Sequence, residues 1–348
     1  MKKTTLKIIA TVLCLAMLLP IAACGESRYK DTEFLAMDTI MDIRAYGKNA
    51  DEGLNAAKNV ILTLDKMLDP ENPASTVYAM NHARGKSVAV SSQIAEMISV
   101  AKDIYAKSGG ALDLTVYPLV KAWGFLDEKY YIPAYNDIES LLQFVDFSQV
   151  KLVSFPSSGT YQVTMPEGFE ITFASCAKGC ASQYAVETMR NHGVTSGFVS
   201  LGGNVQTLGK KPDGSNWAIG IQDPNNKQSY VGVVSAGECA IVTSGNYQRC
   251  FVGNDAETYG HLLKPNTGYP VVNWLQSVTV ICDNGIKADC LSTALFVLGQ
   301  SQAIEYWKAN RGEFDMVLIN TNNEVIITSG LIERFNLTNE NYKLSSIE

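Results

Sequence analysis

With 348 residues, 46% of them hydrophobic and 18% charged, the chain is long enough for one large domain or two closely joined ones. A formal net charge of −7 excludes the basic face of a nucleic-acid binder, and three histidines exclude a histidine-rich metal centre. None of the eight cysteines forms a CxxC pair with zinc-ligand spacing.

Along the chain, Lys2, Lys3 and Lys7 precede an apolar run from Ile8 to Ile21 that is too short and too punctuated for a stable membrane span. It ends in LPIAAC, where a cysteine directly after small residues fits a bacterial lipoprotein signal. On that reading residues 1–23 are removed and Cys24 becomes the lipidated N-terminus of 24–348. Plain secretion with an incidental cysteine is the alternative. A diacylated cysteine would hold the chain at a membrane surface outside the cytoplasm, on the outer face of the cell membrane or on its periplasmic side.

The 3.6-residue period predicts helices near 50–68, near 92–107 before Gly109, near 178–191 before Gly193, near 287–298 before Gly299, and through SQAIEYWKANRG to Gly312. Between them lie strand signals: QVTM, FVSLGG, WAIGIQD, SAGECAIVTSG, SVTVIC, and the pair FDMVLIN and EVIITSG joined by an Asn-rich turn. Strands beside strands with helices inserted at intervals predict an α+β fold with antiparallel sheets. No linker separates independent domains.

The predicted helix KADCLSTALFVLG carries three oxygen-bearing side chains, Asp289, Ser292 and Thr293, on an otherwise apolar element. Two readings stand: Asp289 caps the helix, or Asp289 and Thr293, four residues apart on one face, aim at a common ligand. Nucleotide loops are absent: no GxGxxG follows a strand, and GGNVQTLGKK has neither the glycine spacing nor the Ser/Thr of a phosphate loop. SCAK, SGN and NTG stand in the order of the serine acyl-enzymes that react with penicillin, but the third motif lacks its lysine.

Six segments in order carry a resemblance: GGALDLTVYPLVKAWGF, CAKGCA, SLGGNVQTLG, TSGNYQR, HLLKPNTGYP and KADCLSTALFVLG. Together they resemble the FAD:protein FMN transferases, the ApbE family, from about Met37 to Gly299 and more loosely to Gly330. The resemblance implies a single T-fold-like catalytic unit that uses FAD as substrate and Mg²⁺ as cofactor. It implies Asp289 and Thr293 as Mg²⁺ ligands with Ser292 adjacent, and Ser175 through its backbone carbonyl. One or two carboxylates beside phosphate oxygens suit Mg²⁺. The flavin and adenine ends would be held by Met37, Ala111, Leu112, Asp113, Thr172, Lys178, Leu262 and Leu263. His261, the one histidine in a matched segment, is the candidate for taking a hydroxyl proton, because an unperturbed imidazole titrates near working pH.

The implied reaction moves FMN to a Ser/Thr hydroxyl of an extracytoplasmic protein and releases AMP. The implied acceptors are FMN-bearing subunits of membrane redox complexes or extracytoplasmic FMN-binding domains. An FAD pyrophosphatase of the same fold and a non-catalytic flavin-binding lipoprotein are the alternatives, with a penicillin-type acyl-enzyme more remote. The chain departs from the family pattern at Thr172, where Asp is usual, at Ala174, near Glu71, at Gly260 and at Lys264. These departures bear on FAD affinity more than on the fold.

Overall fold

The computed structural model describes residues 29–126, 129–247 and 249–348; the signal segment 1–23 and Cys24 lie outside the described residues. A nine-stranded sheet runs in the order β1 (Tyr29–Ala36), β2 (Thr39–Tyr46), β6 (Gly197–Leu201), β7 (Asn204–Leu208), β10 (Ala240–Gly245), β13 (Leu275–Cys282), β14 (Asp315–Asn320), β15 (Glu324–Thr328) and β17 (Lys343–Ile347). Neighbours are antiparallel throughout, except that β17 pairs parallel with β15. The expected α+β architecture with antiparallel sheets is therefore present.

Successive side chains of a strand point to opposite faces. In β14, Met316 and Leu318 accordingly enter one core while Val317 and Ile319 enter another. The first core is covered by α1 (Ala50–Leu68), α3 (Ser92–Lys107), α6 (Ala177–Asn191) and α7 (Gly285–Leu298), with α8 (Gln300–Ala309) at its end. Over the second lies a three-stranded sheet, β16 (Phe335–Leu337), β9 (Asn226–Ala236) and β8 (Trp217–Asp223). A further three-stranded sheet, β3 (Val88–Val90), β5 (Thr160–Thr164) and β4 (Lys151–Phe155), flanks α3. A third, smaller core joins α4 (Tyr117–Ala122) and α5 (Tyr135–Leu142) to the hairpin β11 (Cys250–Val252) and β12 (Thr258–Gly260) around Trp123, Phe125 and Leu263. The short α2 (Thr76–Asn81) follows α1.

The differences from the expected elements have local causes. β1 is a sheet edge carrying Lys30, Asp31 and Glu33 toward solvent, which dilutes its alternation. SAGECAIVTSG is two elements, the end of β9 and all of β10, broken at Gly237–Cys239. The helix expected near 287 starts at Gly285, because the Asn284 side chain accepts the Lys287 N–H at 2.7 Å and caps it.

α7 is apolar on every side because α3 and α6 and strands β10 and β13 enclose it. Its contact with α6 is a backbone approach: a Cβ at Gly179 would overlap the Gly285 carbonyl oxygen and the Asp289 Cβ. Gly179→Ala should therefore lower stability by about 2 kcal/mol or more through overpacking, although alanine is the better helix former by roughly 1 kcal/mol. Gly237→Ala, with no atom within 4 Å of the added Cβ, should stay within about 0.5 kcal/mol of the unmutated protein. Urea denaturation of the two variants measures both; equal stability would mean that the helices separate at little cost.

Candidate active site

Most of the predicted residues meet in one cleft, partly open to solvent. It lies where the N-terminal turns of α6 and α7 meet the β6–β7 turn, the end of β10 and the segment after β12.

Asp289 forms the polar floor. It sits on the second turn of α7, so it does not cap its own helix; its Oδ2 accepts the Gly179 N–H of α6 at 2.7 Å. The carboxylate thus caps the first turn of the neighbouring helix, a contact that the Gly179–Gly285 approach permits. Burial pushes its pKa up to about 6, while Lys178 and the Gly179 N–H favour the charged form. Asn204 leans the same way, but its Nδ2 is buried without a hydrogen-bond partner. The net penalty on the carboxylate is roughly 3 kcal/mol.

Hydroxyls line the same cleft. Thr293 and Ser244 line the cleft, and Ser244 Oγ lies 2.7 Å from Ser292 Oγ and 3.3 Å from Thr293 Oγ1. Ser292 itself is fully buried beneath the lining and donates to the Asp289 carbonyl oxygen at 2.9 Å. Ser175 and Lys178 line the cleft from the start of α6. Oxygen donors alone are the donor set of a hard cation. Among the described residues no three His, Cys, Asp or Glu side chains cluster, and a site with one carboxylate has no such cluster.

The apolar part of the cleft includes Ala111, Leu112, Leu262 and Leu263. Asp113 lines it too, but its oxygens are engaged: Oδ1 accepts from Thr115 N at 2.7 Å and Thr115 Oγ1 at 2.5 Å, and Oδ2 from Phe147 N at 3.0 Å. Burial raises its pKa against those three bonds. Thr172 lines the cleft with its Oγ1 accepting the Ala174 N–H at 3.3 Å. Met37 is not among the lining residues; it sits in the β1–β2 turn with a φ of 47°, its N–H donating to Asp65 Oδ1 at 2.8 Å.

His261 is half-buried at the cleft wall. Its Nδ1 lies 3.1 Å from the Arg249 carbonyl oxygen, which can only accept, so Nδ1 carries the hydrogen and Nε2 is the basic nitrogen. Desolvation lowers its pKa to about 4, with Arg249 and Lys178 adding to the effect. The ring thus differs from the unperturbed imidazole of the expectation, in that desolvation favours its neutral form.

A sequence model of the ApbE family matches residues 37–318. The chain belongs to the ApbE family. It is 28% identical over 345 residues to an FAD:protein FMN transferase of Treponema pallidum, covering 93% of this chain and 94% of that one. It is 30% identical over 287 residues to one of Klebsiella pneumoniae, covering 82% and 87%. The crystal structure of the ApbE protein from Thermotoga maritima superposes with a TM-score of 0.77 at 26% identity, over 84% of this chain and 94% of that one.

Three cleft residues, Ser244, Asn204 and Arg249, were not singled out as site residues from sequence, although TSGNYQR and SLGGNVQTLG contain them. The acyl-enzyme alternative places its third motif at NTG, 266–268, none of which is among the residues that line the cleft.

The lowered pKa of His261 has a thermodynamic consequence. Between its ordinary value of 6.5 and about 4, the unfolded chain binds a proton that the folded chain refuses. Its contribution to stability is complete above pH 6.5 and is lost as pH falls toward 4. His261→Gln should flatten that part of the stability–pH curve measured by thermal denaturation. An unchanged slope would mean that His261 titrates normally.

Proposed function

We propose that the chain transfers the FMN part of FAD to a serine or threonine hydroxyl of a protein outside the cytoplasm, releasing AMP. The observation that carries this reading is the convergence of Asp289, Thr293, Ser244 and Ser175 beside Lys178 and the α6 N-terminus, in a chain whose relatives are named FAD:protein FMN transferases. A buried carboxylate penalised by desolvation, in a cleft that hydroxyl oxygens also line, fits a divalent cation. Asp289 and Thr293, with the Ser175 carbonyl, would hold Mg²⁺, which supplies charge neutralisation at a pyrophosphate.

The chain's own residues supply the remaining needs. Leu112, Leu262 and Leu263 offer apolar surface for a flavin ring. Lys178, at the positive end of the α6 dipole, attracts the pyrophosphate. The acceptor oxygen bonds to the FMN-side phosphorus as the bond to the AMP oxygen breaks, and the hydroxyl proton passes to Nε2 of His261. Because the ring is neutral across the physiological range, it is ready to accept that proton without a prior deprotonation. Cys24, lipidated, would keep the cleft outside the membrane.

Asp289→Asn keeps an acceptor for the Gly179 N–H and removes the charge. FMN transfer, read as an FMN-sized mass gain on an acceptor incubated with FAD and Mg²⁺, should fall about 10²–10³-fold. The rise in melting temperature on adding Mg²⁺ should vanish, while the metal-free protein stays folded. Retained transfer with a retained Mg²⁺ shift would reduce Asp289 to a cap of α6. AMP without a modified acceptor would identify an FAD hydrolase, and bound FAD without AMP a flavin-binding protein.

A further inference from the structure

A second groove opens on the far side of the Gly202 turn. Its floor is the outer face of the nine-stranded sheet, where Asp42 and Ser200 are register partners on β2 and β6. Its wall is β8. Six consecutive residues, Trp217 to Gln222, line it, although neighbouring side chains of a strand point to opposite faces. Such a run lines an opening only where the strand presents its edge. β8 pairs with β9 on one side, and among the described residues no other backbone group bonds to Ala218–Gln222. From Trp217 to Ile221 the strand has no proline and no charge; its pairing with β9 becomes irregular only at its far end, between Ile221 and Asp223.

We propose that this groove receives the segment of the acceptor polypeptide around its reactive hydroxyl, as an extended strand added to the free edge of β8. The inference rests on the transferase reading above. Continuity with the cleft is the first argument: Gly202 and Thr243 line both the groove and the cleft, so a chain lying along β8 leads to the Ser244 and Asn204 end of the cleft. Charge is the second. Asp42 is half-buried in the groove and makes no hydrogen bond or ion pair among the described residues, while Arg44 beside it is engaged by Asp31 at 2.9 Å. Desolvation raises the Asp42 pKa, the mark of a carboxylate short of partners. It offers an acceptor to an N–H, hydroxyl or ammonium of the bound segment, with Lys211 present for a carboxylate. Main-chain pairing tolerates varied sequence, so selection falls on whether a hydroxyl reaches the cleft.

The docking step is testable without chemistry. The probe is a synthetic peptide spanning the reactive threonine of an extracytoplasmic FMN-binding domain, with valine in place of that threonine. In hydrogen-exchange measurements it should slow the amides of Ala218–Gln222, and FAD alone should not. With the unaltered domain as acceptor, Asp42→Lys and Ala218→Glu should each raise the acceptor KM tenfold or more, leaving kcat at saturating acceptor and the KM for FAD unchanged. Absence of peptide protection, or an unchanged acceptor KM in a folded Asp42→Lys protein, overturns the groove assignment. Failure of the transferase reading looks different: the peptide protects β8, yet the unmutated protein puts no FMN on the domain.

Discussion

The site depends on one contact between helices. The Gly179–Gly285 approach brings α6 and α7 close enough for an α7 carboxylate to bond an α6 backbone N–H. Side chains at either glycine would hold the helices apart and leave Asp289 buried without that donor. A single N–H, a helix N-terminus and a nearby lysine do not fully offset the desolvation of the charge, and a pKa of about 6 records the shortfall. The same shortfall makes the floor of the cleft receptive to a cation. Helix packing and ligand affinity are here two consequences of one backbone contact.

The rest of the cleft is assembled around that floor by elements far apart in the chain. Strand β10 delivers Ser244 to the α7 hydroxyls, and its register with β13 fixes where Ser244 falls. The β11–β12 hairpin delivers His261, since the Arg249 carbonyl accepts from both the His261 backbone N–H and its ring Nδ1. One carbonyl therefore sets the tautomer of the imidazole and its place on the wall. Short-range bonds do the orienting, and sheet and helix packing bring the oriented groups together.

Much of this was legible in the sequence, and the remainder has identifiable causes. The amphipathic helices 50–68 and 92–107 match α1 and α3 because their periodicity is the signal of a half-buried helix. Strand β1 escaped notice because its charged edge carries little alternation, whereas β2 alternates Met41, Asp42, Ile43, Arg44 and Ala45 and was legible but not read. The choice at Asp289 between cap and ligand was posed for its own helix, whereas the carboxylate caps a helix 110 positions away in sequence, which no spacing rule reaches. His261 was found as a residue type, but its lowered pKa is a property of burial and invisible in HLLKP. Asp113 was expected at the flavin or adenine end; it lines the cleft, with its carboxylate taken up by Thr115 and the distant Phe147 N–H.

The departures from the family pattern are easiest to understand from the backbone. At Thr172, the main-chain N–H donates to the Leu114 carbonyl oxygen at 2.9 Å, tying this segment to the 111–114 loop whatever the side chain. At Lys264, the N–H donates to Tyr269 and the carbonyl accepts from Thr267 and Gly268, so the turn that positions Leu262 and Leu263 is closed by main-chain bonds. At Lys264 the turn is closed without the side chain, and at Thr172 the side chain adds only its Oγ1 acceptor for the Ala174 N–H. Asp289 differs, because its side chain itself accepts a hydrogen bond from α6, beside the one that the Gly285 N–H of α7 donates to Gln183. Variation at the flavin end alongside an intact carboxylate–hydroxyl floor follows from which groups the fold itself must use.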